Sequence, residues 1–172
     1  MILPGSPMRT LVAVALFAAA VIMAAGCDQK RAEKLEEGVS TEADVRAQFG
    51  EPAASYDEGS SGARTLEYPR QPAGQTTYMI SIGADGKMSA LRQVLKPTEF
   101  AKVTPGLDKA QVRRLLGRPA AAQRYELKDE EQWDWRWLDG QSPKLFSVTF
   151  DADGRVTATA VVDDPKTTSV GG

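Results

Sequence analysis

The sequence of 172 residues contains an internal repeat, and this repeat limits the fold more than any other feature. The block from Gly38 to Pro52 matches the block from Gly106 to Pro119, with one extra residue near the start of the first copy. The match continues at a spacing of 67 or 68 positions through the pairs Leu66 and Trp133, Tyr68 and Trp135, Tyr78 and Phe146, Ile80 and Val148, and Ile82 and Phe150. The chain therefore contains two copies of one folding unit.

Each block predicts a short helix with a defined start. Thr41 and Asp108 are suited to cap the helices, because each side chain can accept a hydrogen bond from an unpaired amide of the first turn. Asp44 and Gln111 lie three residues later and complete pairs that resemble capping boxes. The predicted buried stripes are Val45 and Phe49 in the first helix, and Val112, Leu115 and Leu116 in the second.

The end of each capped helix is also predicted. Gly50 and Gly117 suit a left-handed helix end, and each is followed two residues later by a proline that prevents continuation. A second short helix is predicted before each capped one, at Lys30 to Glu37 and at Thr98 to Thr104. Each unit therefore begins with two short helices.

The remainder of each unit alternates between apolar and polar residues, which predicts strands with one apolar face and one charged or Ser/Thr-rich face. Asp85-Gly86 and Asp153-Gly154 are typical of hairpin turns. We therefore expect an α+β fold of two tandem ααβββ modules, each with two short helices packed on a three-stranded antiparallel sheet. The modules span residues 30–96 and 97–163, and residues 164–172 are expected to form a disordered tail. The pattern leaves open whether the modules share one continuous sheet.

The first residues have the pattern of an export signal. Leu11 to Ala25 is an apolar run of fifteen residues after Arg9, which is short for a membrane span of about 20 residues. Ala24-Ala25-Gly26-Cys27 resembles a bacterial lipobox, although a larger residue is commoner in place of Ala24. The resemblance implies that residues 1–26 are removed, that the Cys27 thiol receives a diacylglycerol, and that 27–29 form a lipidated amino terminus.

The residue after the cysteine bears on the membrane to which the lipid attaches. The lipobox implies the periplasmic side of a cell envelope, and we expect the outer membrane. Asp28 resembles a signal for retention in the inner membrane of enteric bacteria, which leaves the inner membrane as the alternative.

Composition excludes several classes of function. The chain has no histidine and a single cysteine, Cys27, so imidazole zinc sites, Ser-His-Asp triads and disulfides are excluded. The formal net charge of −2 offers no basic excess for nucleic acid. The run Asp151-Ala152-Asp153-Gly154 lacks the further ligands of a calcium loop and is better explained as a hairpin. We therefore expect no enzyme activity, no metal and no cofactor.

The repeated block and the element order resemble the BamE (SmpA/OmlA) family of outer-membrane lipoproteins. The aromatic strand Trp133-Asp134-Trp135-Arg136-Trp137 and the late Phe-Asp-x-Asp-Gly hairpin also fit this family. The second copy fits better, because the first lacks the tryptophans and has Pro69 and Arg70 where the pattern would continue. The tandem arrangement is similar in architecture to the β-lactamase inhibitor protein family.

The resemblance implies a lipid-anchored, periplasm-facing protein-interaction module, an accessory in outer-membrane protein assembly or envelope integrity, with the barrel-assembly complex as partner. The alternative hypothesis is an envelope inhibitor or ligand-sensing protein that uses a concave tandem sheet. Candidate partner contacts are Trp137, Tyr68, Arg70, Trp133 and Trp135. Core packing is the favoured interpretation of the tryptophans, with exposure expected only for Trp137 near the strand end.

Replacement of the predicted lipid attachment site tests the anchor. We expect Cys27→Ala to move the protein from the membrane fraction to the soluble periplasm, because the acyl chains supply the membrane affinity. Fractionation of cells that produce the variant or the original chain measures this. Membrane retention of the variant would contradict the prediction.

Overall fold

The protein, described here by a computed structural model over residues 28–168, has two four-stranded antiparallel sheets and short helices. Cys27 and the predicted signal lie outside these residues. The helices are α1 (residues 28–32), α2 (Glu42–Phe49), α3 (Pro97–Phe100), α4 (Lys109–Leu116) and α5 (Pro165–Thr168). The first sheet contains β1 (Ala54–Asp57), β2 (Arg64–Pro69), β3 (Thr77–Ile82) and β4 (Met88–Gln93). The second contains β5 (Ala121–Tyr125), β6 (Glu130–Asp139), β7 (Ser142–Phe150) and β8 (Val156–Asp163). Within each sheet the strands are adjacent in chain order.

The α+β class and the duplication agree with the sequence prediction, but the number of strands does not. Each sheet has four strands instead of the predicted three, and the additional strands are the edge strands β1 and β5. The side chains of β5 are exposed along its length, so it shows no apolar alternation. Backbone hydrogen bonding places Ala54 opposite Glu67 and Ala121 opposite Asp134, which makes these strands members of the sheets. The two sheets are separate.

Both predicted capping boxes are present. The Thr41 hydroxyl accepts from the Asp44 amide at 3.3 Å, and the Asp44 carboxylate accepts from the Thr41 amide at 2.8 Å. Asp108 and Gln111 make the same reciprocal pair at 2.8 and 2.9 Å. Both helices therefore begin where the repeat predicts.

The ends of the capped helices differ in detail from the expectation. Gly50 has φ 83° and ψ −160°, and Gly117 has φ 76° and ψ −170°. The positive φ favours glycine, but the extended ψ is not left-handed helical, so that part of the prediction is wrong. The chain instead turns directly towards the edge strand that follows.

The helices cover one face of each sheet, and the second core also takes residues from the first unit. The first core contains Val45, Phe49, Leu66, Tyr68, Tyr78, Ile80, Ile82 and Met88. The second includes Val112, Leu116, Trp135, Trp137, Phe146, Val148 and Phe150, together with Met79, Val94 and Leu95 from the first unit. The two units therefore share a packed boundary.

The residues after β8 are ordered at their start, so the predicted disordered tail is wrong for residues 164–168. Asp164 is buried, its carboxylate lies 2.8 Å from the Arg136 guanidinium, and α5 follows directly. Pro165 stands 68 positions after Pro97, the first residue of α3, so α5 occupies the equivalent place after the second sheet. An ion pair with a residue 28 positions away has no local sequence pattern by which to recognise it.

Removal of one aromatic ring tests the second core. The Phe100 ring stacks on Phe146 at 4.1 Å and meets the Trp137 ring edge-on at 5.0 Å. We expect Phe100→Ala to lower the free energy of unfolding by about 3–5 kcal/mol, because it leaves a cavity. Urea denaturation measures this. Tyr125→Ala, at a position 44% exposed, is the control and should change stability by less than about 1 kcal/mol. Equal effects would contradict the packing.

Candidate protein-interaction surface

The three tryptophans of β6 alternate along the strand and pack towards the helices. Trp135 is fully buried, and its indole N–H donates to the Gly117 carbonyl at 3.0 Å. Trp137 is 4% exposed beneath Phe100. The expected exposure of Trp137 is therefore wrong, because α3 covers the end of the strand. Direct contact between either residue and a partner would require that side chain to leave the core.

Trp133 is half-buried beneath α4. Its indole N–H donates to Glu131 at 2.5 Å, and the Lys109 ammonium lies 6.0 Å from the ring centroid. The same ammonium is 2.6 Å from the Glu131 carboxylate, and this hydrogen bond is the main reason that the pKa of Glu131 is lowered. A partner that contacts Trp133 would therefore meet a ring already flanked by an ion pair.

Tyr68 of the first sheet, which is equivalent to Trp135 in the repeat, is also buried. Its ring lies 5.4 Å from that of Phe49, and burial raises its pKa to about 12. Tyr68 thus belongs to the first core. As a candidate contact it has the same limitation as the buried tryptophans.

Arg70, the remaining candidate contact, is held by an intramolecular ion pair. Its guanidinium meets the Asp28 carboxylate through Nε at 2.6 Å and Nη2 at 2.9 Å, and Arg31 binds the same carboxylate at 3.1 Å. Asp28 is buried. This bidentate pair fastens the first described residue, next to the predicted lipidated Cys27, to the end of β2.

The junction between the units is built around the carboxylate of Glu67, which is fully buried on β2. It accepts a hydrogen bond from the Arg118 backbone amide at 2.8 Å, and two Arg113 guanidinium nitrogens lie at 3.4 Å. The Tyr56 hydroxyl donates to it as well, and burial followed by this hydrogen bond raises the pKa of Tyr56 to about 12. The polar face of the first sheet is therefore covered by the end of α4.

Close approach at this junction requires a glycine. A Cβ at position 117 would lie 2.7 Å from the Thr77 side chain, and the φ of Gly117 is positive. A second link lies nearby, where the Gln71 side-chain amide donates to the Arg136 carbonyl at 2.7 Å and accepts from the Arg136 amide at 3.2 Å. The first unit thereby pairs with β6 beyond the end of β5.

The corresponding face of the second sheet, which mixes polar and apolar residues, is not covered by a helix like α4 within residues 28–168. We call it the outer face. Its residues, assigned from strand register, include Ala121, Gln132, Asp134, Arg136, Leu145, Ser147, Ala158, Ala160 and Val162. At its centre the Asp134 carboxylate accepts from the Ser147 hydroxyl at 2.6 Å and from the Gln132 amide at 2.8 Å.

A small cavity of about 130 Å³ opens on this outer face, bordered by Asp134, Leu145, Pro72 and the Arg136–Asp164 ion pair. Pockets for drug-sized ligands occupy about 300–1,000 Å³, so this one has room for a single side chain or a turn of backbone. The β8 residues beside it, from Ala158 to Val162, are exposed. The outer face is therefore the candidate interaction surface.

Two further features of residues 28–168 concern metals and membranes. No cluster of three or more acidic or cysteine side chains in this range is arranged to hold a metal ion. No helix in the same range has the length and apolar character needed to cross a membrane.

The second unit matches a known family. Residues 93–160 match the family model of the outer membrane protein assembly factor BamE domain, which confirms the predicted resemblance for that unit. The first unit repeats the capped helix and the four-stranded sheet, so the architecture is a BamE-like tandem duplication. Comparison with curated protein sequences gave no significant match.

Solved structures with partial similarity include three proteins. An osmotically inducible lipoprotein, OsmE, is 21% identical over 41% of this chain and 75% of its own, with a TM-score of 0.36. A DUF4309 family protein (YjgB) from Bacillus subtilis is 19% identical over 76% and 82%, with a TM-score of 0.30. A β-lactamase inhibitor-type protein from Streptococcus mutans is 13% identical over 72% and 83%, with a TM-score of 0.31. Similarity at this level says nothing about function.

Two glutamates that each pair with an arginine of α4 test the junction. Glu67 is buried against Arg113, whereas Glu58 pairs with Arg114 at 3.0 Å and is 46% exposed. We expect Glu67→Ala to lower the free energy of unfolding by about 3 kcal/mol, because it strands buried donors. Glu58→Ala should cost less than about 1 kcal/mol. Urea denaturation measures both, and equal losses would show that Glu67 does not hold the junction.

Proposed function

We propose that the protein is a lipid-anchored, periplasm-facing interaction module that serves as an accessory in outer-membrane protein assembly. The observation that carries this proposal is the match of residues 93–160 to the BamE domain. The run Ala24-Ala25-Gly26-Cys27 supports the anchor. The proposal is for a binding role and assigns no catalytic step.

The anchor and the fold would act together through local concentration. A protein tethered to one membrane surface meets partners in that membrane at high effective concentration, so weak contacts suffice. Two or three acyl chains make such attachment practically permanent, because each buried methylene contributes about 0.8 kcal/mol. The Asp28–Arg70 ion pair supports a short connection between the tether and the first sheet.

The burial pattern supports a particular surface for partner contact. Tyr68, Trp135 and Trp137 are enclosed in the cores, and the polar face of the first sheet is covered by α4. Within residues 28–168, the outer face of the second sheet is open to solvent along β8 and at the cavity beside Asp134. We therefore place the partner contact there rather than on the aromatic residues suggested by the sequence.

Capture of partners from intact cells tests the proposed function. After crosslinking and solubilisation of membranes, we expect the full lipidated chain to enrich the barrel-assembly complex over a Cys27→Ala control, because the control lacks the tether. Outer- and inner-membrane fractions of the same preparation report the location, and we expect the outer membrane. A soluble periplasmic enzyme as the sole partner would contradict the proposal and favour the inhibitor hypothesis.

A further inference from the structure

The junction between the two units shows what the polar face of such a sheet can bind. The end of α4 lies on the first sheet, where the Glu67 carboxylate accepts a hydrogen bond from the Arg118 backbone amide at 2.8 Å. Arg113, in the last turn of the helix, adds its guanidinium at 3.4 Å. Gly117 lies against Thr77 with no room for a Cβ. The bound motif is thus a helix end with an arginine in the last turn and a glycine directly after it.

The outer face of the second sheet repeats the receiving surface of the first. In strand register, Glu67 lies opposite Ala54 and Met79, and Asp134 lies opposite Ala121 and Ser147. Equivalent positions, 67 or 68 residues apart, are Ala54 and Ala121, Glu67 and Asp134, Thr77 and Leu145, and Ala90 and Ala158. A carboxylate flanked by small or uncharged side chains therefore stands at the same place in both sheets.

The cavity on the outer face corresponds to the place that Gly117 fills on the first sheet. It is bordered by Asp134 and Leu145, the equivalents of Glu67 and Thr77. The start of α5 also borders it, and α5 follows the second sheet in the chain as α3 follows the first. The outer face thus has an opening at the place that corresponds to the site of Gly117 on the first sheet.

The carboxylate at the centre of the outer face lacks the ion pair that Glu67 makes with Arg113 in the junction, although Arg136 and Lys166 also border the cavity. Asp134 accepts only from the neutral donors Ser147 and Gln132, and within residues 28–168 it makes no ion pair. The nearby Arg136 guanidinium is committed to Asp164 at 2.8 Å. A half-buried carboxylate without an ion pair binds most favourably to a partner that supplies both a cation and an amide donor.

We propose that the outer face binds the carboxyl end of a helix from a partner protein, with an arginine in the last turn and glycine directly after the helix. The arginine pairs with Asp134, the glycine enters the cavity beside Leu145, and the next backbone amide donates to the carboxylate. This inference rests on the proposed function and names the chemistry of its partner.

A second copy of this chain fits the surface less well. Its α2 also ends with an arginine and a glycine, Arg46 and Gly50. Arg46 is already paired with Glu42 and Glu51. Glu51 also occupies the position equivalent to Arg118, so docking would bring its carboxylate towards Asp134, and like charges disfavour that complex. The occupant is therefore a different protein.

Photo-crosslinking of the full lipidated chain in intact cells tests this surface. A photoreactive residue at Ala160 lies on the outer face, and one at the neighbouring Val161, which is 52% exposed on the opposite face, is the matched control. We expect an adduct from position 160 and little from 161. Asp134→Arg should reduce its yield about tenfold or more, and Asp134→Asn, which still accepts from Ser147, should reduce it less.

The adduct also identifies the segment that is bound. Mass spectrometry of the crosslinked peptide should find a helix end with the arginine and the glycine. Exchange of that arginine for aspartate should restore the adduct with Asp134→Arg. Equal melting temperatures of the original chain and Asp134→Asn show that the sheet is intact.

Four results would contradict the inference. No adduct from position 160, an adduct insensitive to Asp134→Arg, one on a second copy, or one on a segment without the arginine would each overturn the inference. Capture of the barrel-assembly complex in the same cells reports the proposed function separately. Capture that persists with Asp134→Arg leaves that function standing and this surface refuted. If the charge exchange restores the adduct with a protein outside the barrel-assembly complex, the proposed surface stands and the proposed function is refuted.

Discussion

Burial of the Glu67 carboxylate organises the relation between the two units. A carboxylate removed from water is costly unless it is paired and fully hydrogen-bonded, and here the donors come from both units. Tyr56 belongs to the first unit, whereas Arg113 and the amide of Arg118 belong to the second. The carboxylate is satisfied only when the end of α4 lies on the first sheet. The cost of leaving it unpaired therefore favours one arrangement of the duplicated units.

The duplicated units are consequently packed on each other as successive layers of helix and sheet rather than as two separate units. α4 packs on its own sheet through Val112 and Leu116, and its end covers the polar face of the preceding sheet. Met79, on that polar face, contributes to the second core. The same arrangement leaves the outer face of the second sheet at the end of the stack, and this is the face on which we propose that a partner binds.

Much of the fold was predictable because its signals are local. The capping boxes, the hairpin glycines and the alternation of β2, β3, β6 and β7 lie within a few residues of one another. The edge strands were missed because solvent-exposed strands need no apolar alternation, and their membership depends on backbone pairing with a neighbour. The order of residues 164–168 was missed because it depends on the distant Arg136.

The candidate site was harder to predict than the fold. Tryptophan in a strand suits both a core and an interface, and only the position of Phe100 decides that Trp137 is covered. Arg70 is an ordinary surface candidate in the sequence, yet Asp28, 42 positions away, occupies it. Asp134 lies between two tryptophans and belongs to no functional motif. Its equivalence to the carboxylate of Glu67, in the other copy of the repeat, is the sequence signal that identifies it.

The sequence alone determined the repeat, the caps and turns, the apolar strand faces and the predicted lipid attachment site at Cys27. Each of these depends on the spacing of residues along the chain. The tertiary structure alone decided which polar face is filled and which is open. Glu67 and Asp134 have similar chemistry in equivalent strands, but only the first meets Arg113, 46 positions further along the chain. Proximity of that kind comes from packing and is not encoded in any local pattern.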